Sequence, residues 1–298
     1  MLLDFKPRNE RAFWYILNLR AEKLIALTLV GASVGAATVI FMTIVRNRVL
    51  TPSIIGFDSL FMLFQTGLLF VFGASAYSAI PGTVSFIIET LMLVGGASLL
   101  FGLVLRRFGN DVQLVLLAGV VFGLLFRSLV LFLQRMIDPT EFAVVQDSYF
   151  ATFAAINDTA MVLAGITFLL AAIATFRVLP KLDVMALGRS AATTLGENYD
   201  RWQFIFLVIV AVFIAVSTAL VGPIAFLGLI VASLAHGIAN THRHIILVPM
   251  AAGFGALTLV LGQAVFDRVL DVPLNLAIII EFAGGALFLA LVLMRKMR

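Results

Sequence analysis

Read for charge, the chain alternates long apolar runs with short polar connections. Runs nearly free of charge cover 24–45, 60–80, 82–105, 112–133, 159–176, 204–221, 245–266 and 272–294. Each is close to the roughly 20 residues that a helix needs to cross a bilayer. A ninth run, 224–235, is too short to span as a straight helix. Lipid offers the backbone no outside hydrogen-bond partner, so all nine are predicted to be helical. The pattern predicts an all-α, polytopic transmembrane bundle of eight spans and one short membrane helix. It forms a single domain over 1–298, with 1–23 as an amino-terminal segment.

Pro52, Pro81, Pro139, Pro180, Pro223 and Pro273 fall in or beside the connections, where a missing N–H does least harm. Small residues crowd the spans, as at Gly31 to Ala37 in the first and Gly95, Gly96 and Ala97 in the third, which suits close helix approach in lipid. One inner connection is long and ordered in pattern: 180–203 sets Val184, Leu187, Ala191 and Leu195 at helical spacing and is punctuated by Gly188 and Gly196. A short amphipathic helix–turn–helix on the inner membrane surface is the expectation. Connections of this length are usually functional.

Composition narrows the class. Hydrophobic residues make up 62% and charged residues 12%, far from the balance of a water-soluble enzyme. The chain has no cysteine, which excludes disulfides, thiolate metal sites and a cysteine nucleophile. Its net charge is +4, but the basic residues are scattered between apolar runs. They report orientation and not a nucleic-acid partner. One alternating set of connections holds 12 lysines and arginines, from Arg46 to Arg298, whereas the other holds Arg135 and Arg268. The first set is expected to face the cytoplasm, together with the carboxyl terminus. Nine segments then put the amino terminus outside, in conflict with Lys6, Arg8, Arg11, Arg20 and Lys23. No GxxxxGK[ST] loop occurs, so the chain has no nucleotide-hydrolysing motif of its own.

The stretch LDVMALGRSAATTLG resembles the cytoplasmic coupling segment of the FecCD family, the permeases of iron-chelate and vitamin-B12 type ABC importers. VGPIAFLGLIVASLAH is similar to that family's next signature, here Gly222, Pro223, Phe226, Gly228 and Leu229. The regions 112–123 and 47–60 fit as well, so the resemblance runs from about Arg20 to the end. Ala232 and Ser233 replace the family's usual Pro-His. With THRH at 241–244 and LGQ at 261–263, this resembles the branch that serves ferric siderophores through two different permease subunits. Family members usually have ten membrane helices, and the first precedes the segment that begins near Arg20.

The resemblance implies a non-enzymatic transport subunit of the bacterial inner membrane that binds no cofactor or metal itself. Its implied partners are a second, non-identical permease, an ABC ATPase dimer carrying the ATP, an extracytoplasmic siderophore-binding protein, and a ferric siderophore as cargo. Asp183, Leu187, Gly188, Leu195 and Gly196 are the candidate ATPase-coupling residues. Arg127, Gln134 and Glu281 are candidates for the translocation pathway. Ionisable groups at membrane depth are functional hypotheses by default, yet Arg127 and Glu281 fit equally well as locks between helices. Glu89 reads as a packing or interfacial residue. Arg20 and Lys23, at the positions of an Arg-x-x-Arg pattern before the first span, and Arg268 are candidates for docking the binding protein. His236, His242 and His244 lie at a turn without carboxylate or cysteine partners, which argues against a metal. The competing classes are an ion-gradient-driven secondary transporter using Glu281 or Glu89, and a structural membrane subunit.

Overall fold

The charge-free runs fold as helices. The computed structural model describes residues 10–108, 112–146, 149–153, 156–265 and 276–296, and all regular structure among them is helical. In chain order the helices are α1 (Glu10–Val45), α2 (Phe57–Ser78), α3 (Gly82–Phe108), α4 (Val112–Gln134), α5 (Pro139–Gln146) and α6 (Asp158–Ala186). They continue as α7 (Arg189–Thr194), α8 (Tyr199–Val221), α9 (Leu227–Ile238), α10 (His244–Val265) and α11 (Leu276–Lys296). Among the described residues, 7 helices are long and apolar enough to cross a membrane. The last predicted run folds as the 21-residue α11, and the predicted short run folds as α9.

Three boundaries depart from expectation. Helix α1 starts at Glu10, not near residue 24, and reaches 36 residues. Nothing between Glu10 and Lys23 breaks a helix, because the segment lacks glycine and proline and is rich in Leu, Ala, Glu and Arg. Arg20 and Lys23 therefore lie inside α1 and not ahead of it. Pro180 sits in the interior of α6 and does not end it. Neighbouring helices tolerate such a proline by re-satisfying the freed carbonyl, and α6 packs on α1, α3, α8 and α10. Pro139 opens α5, which the charge pattern did not predict; proline suits a first helical position, and Asp138 Oδ1 accepts from the Thr140 backbone N–H at 2.9 Å.

Helix α1 is the hub. It packs against α6, α8, α9 and α10, and 78% of its spanning window is buried, against 11% for α4. Small residues set the closest crossing. A Cβ on Gly31 would land on the Gly255 carbonyl, one on Gly35 on the Ala251 carbonyl, and one on Gly255 on the Gly31 carbonyl. The GxxxG spacing of α1 thus meets the Ala251-to-Gly255 spacing of α10, a packing of the small-xxx-small type. Elsewhere the bundle is interrupted. Gly73 breaks α2 with φ 75° and ψ 165°. Gly222 (φ 100°) and Phe226 (φ 60°) turn the chain between α8 and α9.

Candidate functional site

The polar stretch 180–203 divides into three parts. Its first residues complete α6, its last begin α8, and α7 lies between them. Gly188 (φ 97°) and Gly196 (φ 83°) flank α7, in the left-handed region that glycine alone enters freely. The expected turns at both glycines are present. Ala192, fully buried, anchors α7 to the bundle, whereas Leu187 and Leu195 are each 61% exposed. Two large aliphatic side chains therefore stand out beside the two turns.

Charged pairs brace this elbow. Lys181 on α6 pairs with Glu197, whose other oxygen accepts from Trp202 Nε1 at 2.8 Å. The Lys181 ammonium also lies 5.9 Å from the Trp202 ring. The hydrogen bond from Lys181 holds the Glu197 carboxyl below its ordinary range. On the other side, Arg189 Nη2 donates to Asp200 Oδ2 at 2.5 Å, and its guanidinium lies 5.5 Å over the Tyr199 ring. Asn198 caps α8 by accepting from the Arg201 N–H at 3.1 Å.

Asp183, near the end of α6, faces the start of α10. Its Oδ1 accepts from the backbone N–H of His244 at 2.9 Å and lies 2.6 Å from Nδ1 of that ring. His244 Nε2 lies 2.8 Å from Thr43 Oγ1. One buried imidazole thus bolts the ends of α6, α10 and α1 together. Sequence reasoning missed this bolt, and no periodicity could have shown it; a histidine opening a helix straight after a polar turn was the only hint.

The pathway candidates are separated in this chain. Arg127 is exposed on α4, among exposed Leu124, Leu125 and Leu131, and forms no salt bridge among the described residues. Gln134, half-buried, is the last residue of α4, about 10 Å further along the axis. Glu281, half-buried on α11, takes a hydrogen bond from the backbone of Ala225 in the break between α8 and α9. Helix α4 packs on α2 and α3, while α11 packs on α9. Within this chain Arg127 is not a lock between helices, whereas Glu281 is tied to a neighbouring segment.

Glu89 belongs to the packing. It is buried on α3, accepts from Ser85 Oγ at 2.5 Å, and shares Gln65 with Tyr77, whose hydroxyl donates to Gln65 Oε1 at 2.8 Å. Arg20 and Lys23 lie one turn apart on α1, both partly buried and both with partners. Arg268 lies outside the described residues. Among the described residues no group of three or more His, Asp or Glu could hold a metal, and His244 is instead engaged with Asp183 and Thr43.

Known proteins match this architecture along its whole length. The chain is 42% identical over 279 residues to the petrobactin import system permease protein YclO of Bacillus subtilis, covering 94% of this chain and 89% of that protein. It is 31% identical over 290 residues to the petrobactin import system permease protein FatC of Bacillus anthracis, covering 97% and 82%. The fold superposes with a TM-score of 0.78 on a solved metal-chelate type ABC transporter described as inward-facing, at 23% identity, over 97% of this chain and 91% of that one. The profile of the FecCD transport family spans residues 3–295, and the chain, a multi-pass membrane protein, belongs to that family.

Proposed function

We propose that the chain is the permease subunit of an ATP-driven importer of ferric siderophores, one half of a pore completed by a second, non-identical permease. The observation that carries this is the elbow: a short helix held between two left-handed glycines, braced by ion pairs, presenting two exposed leucines at the basic end of the bundle. Such a surface suits a groove on a partner, because covering the exposed part of each leucine contributes about 1–2 kcal/mol. The partner is an ATPase dimer that carries the ATP; this permease hydrolyses nothing and binds no cofactor. Closing of the ATPase dimer moves α7, and the Lys181–Glu197–Trp202 and Arg189–Asp200 contacts pass the movement into α6 and α8. Asp183 contributes by holding the end of α6 that carries the elbow.

The same layout supports a reading of cargo and orientation. Arg46, Arg48, Arg189, Arg201 and Arg243 lie in or beside the connections at the elbow end, which supports a cytoplasmic position for that end and for the carboxyl terminus in a bacterial inner membrane. The relatives named for petrobactin support a ferric siderophore as substrate. An unpaired Arg127 on the exposed face of α4 suits a water-filled route at the subunit boundary. There it would guide an anionic chelate by weak contacts, with Gln134 further along. Glu281 lines the same route from α11. Arg20, Lys23 and Arg268 form the outer dock for the siderophore-binding protein, as rim charges that set encounter rate and orientation.

Co-purification tests the proposal. Solubilised in mild detergent from its own cells, the chain should retain an ATPase subunit and a second permease. A preparation that drives siderophore uptake from an ion gradient without either subunit would refute it.

A further inference from the structure

Beside the elbow, where the ends of α1, α6, α9 and α10 meet, a cavity of about 640 Å³ opens. Arg46, Arg48, Arg243, His236 and His242 line it, above a floor that includes Met42 and Leu247. The one carboxylate in the lining, Asp183, is already engaged by His244 through both backbone and ring. Among the described residues none of the three arginines forms a salt bridge. Three guanidinium groups thus surround one cavity whose lining holds a single carboxylate to balance them.

The backbone adds an independent observation. Arg46 occupies a left-handed position at φ 53°, just after α1, where its N–H donates to Thr43 O at 3.2 Å and that of Asn47 to Met42 O at 3.1 Å. Glycine is the usual residue for such a helix end. An arginine held there against backbone preference carries a guanidinium that lies by Gly188, at 3.0 Å from where a Cβ would stand.

The surroundings identify the ligand chemistry. Within a turn of the lining, Leu234, Ile238, Ile245 and Ile246 are 41%, 55%, 54% and 44% exposed. A cationic cavity at helix ends that also carry exposed aliphatic side chains fits an amphiphile, with its phosphate on the arginines and its chains on the apolar helix surface nearby. Guanidinium forks match phosphate oxygens in pairs, and basic pockets between membrane helices on the cytoplasmic side take anionic headgroups. The volume is also in the range of small-ligand sites, about 300–1,000 Å³. We propose that this cavity is a binding site for a phosphate-bearing anion, namely the headgroup of an anionic phospholipid. An acidic side chain from a docked protein would meet the same cations but leave those exposed aliphatic side chains uncovered.

The test uses the full chain in neutral detergent, with soluble dioctanoyl phosphatidylglycerol, dioctanoyl phosphatidylcholine and inorganic phosphate as separate probes. Binding is read as a saturable rise in unfolding temperature and as bound lipid in native mass spectra. Phosphatidylglycerol should bind, phosphatidylcholine should not, and phosphate should compete weakly. Arg48→Gln and Arg243→Gln should each weaken phosphatidylglycerol binding by about tenfold. Arg46→Gly should weaken it similarly while leaving the ligand-free unfolding temperature at or above that of the wild type, because glycine fits the left-handed backbone. That variant separates lost binding from lost folding. Equal binding of the two lipids, or unchanged binding in a variant combining Arg46→Gly, Arg48→Gln and Arg243→Gln, would overturn the site. Phosphate binding as tightly as phosphatidylglycerol would overturn the lipid as its ligand. So would arginine variants that lose a captured ATPase when the wild type binds neither lipid. The lipid measurement needs neither cargo nor ATPase, so its failure leaves the import proposal standing.

Discussion

Gly31→Ala tests the seam between α1 and α10 most directly. A Cβ at position 31 falls on the Gly255 carbonyl and 2.6 Å from Ala256 N. All of these are backbone atoms, so no rotamer change relieves the overlap. Carbon contacts want roughly 3.5 Å or more, so the helices must part by about an ångström, and such a gap forfeits about a quarter to a half of each dispersion contact it opens. Overpacking of this kind typically costs about 1–3 kcal/mol. Alanine's helix propensity returns at most about 1 kcal/mol, and less where the unfolded chain keeps its helices in the membrane. The expected net loss is about 1–2 kcal/mol. Gly253, on α10 half a turn from Gly255, is the built-in control, because a Cβ there meets nothing within 4 Å. Gly253→Ala should therefore be neutral or stabilising by up to about 1 kcal/mol. Thermal unfolding of both variants in one detergent decides the matter. If Gly31→Ala melts at or above the wild type while Gly253→Ala melts below it, the seam is not what holds these helices together.

Leu187→Asp or Leu195→Asp should abolish uptake of the iron chelate while leaving membrane abundance normal, and Leu187→Ala should weaken ATPase retention about tenfold; unchanged uptake at normal abundance would remove α7 from coupling. Arg127→Ala should lower uptake more than abundance, and a collapse of abundance would make Arg127 a structural contact with the partner subunit. Glu197 has a folded carboxyl pKa below its unfolded value, so its contribution is present above the ordinary glutamate range and is lost as pH falls through the depressed value. Trp202 fluorescence in a Trp14→Phe background should report that loosening at low pH, and the same acid limb in Glu197→Gln would refute it. Reversing Arg20 and Lys23, or Arg268, to glutamate should slow capture of the loaded binding protein and flatten its salt dependence, since rim charges are screened within about 8 Å at physiological salt; an unaltered salt slope places the dock elsewhere.

The spans were legible in the sequence because lipid imposes one rule on every residue of a run. Both ends of 204–221 and of 245–266 lie within about a turn and a half of the observed helix ends. The ends of α1 and α6 were not, because a polar or proline-bearing extension carries no apolar signal yet continues a helix that tertiary contacts already fix. The glycines at 188 and 196 announced their turns, since the left-handed backbone they adopt has few other occupants. The Asp183–His244–Thr43 bolt joins residues up to 201 positions apart, and a linear pattern contains no trace of such pairing. Arg127 kept two readings in the sequence because charge at depth says nothing about direction; its exposure on α4 needed coordinates.

That bolt has a mechanical consequence. With Asp183, His244 and Thr43 joined, a push on the elbow cannot tilt α6 alone, because the near ends of α1 and α10 must travel with it. The pairs to Glu197 and Asp200 carry the start of α8 along as well. This end of the protein therefore behaves as a plate, and whatever bends must bend elsewhere. The soft points are those where the helical ladder is already broken: Gly73 in α2, and Gly222 and Phe226 between α8 and α9. On the import proposal, the stiff half would receive the stroke, and the compliant half, with Glu281 tied to the α8–α9 break, would open the way through.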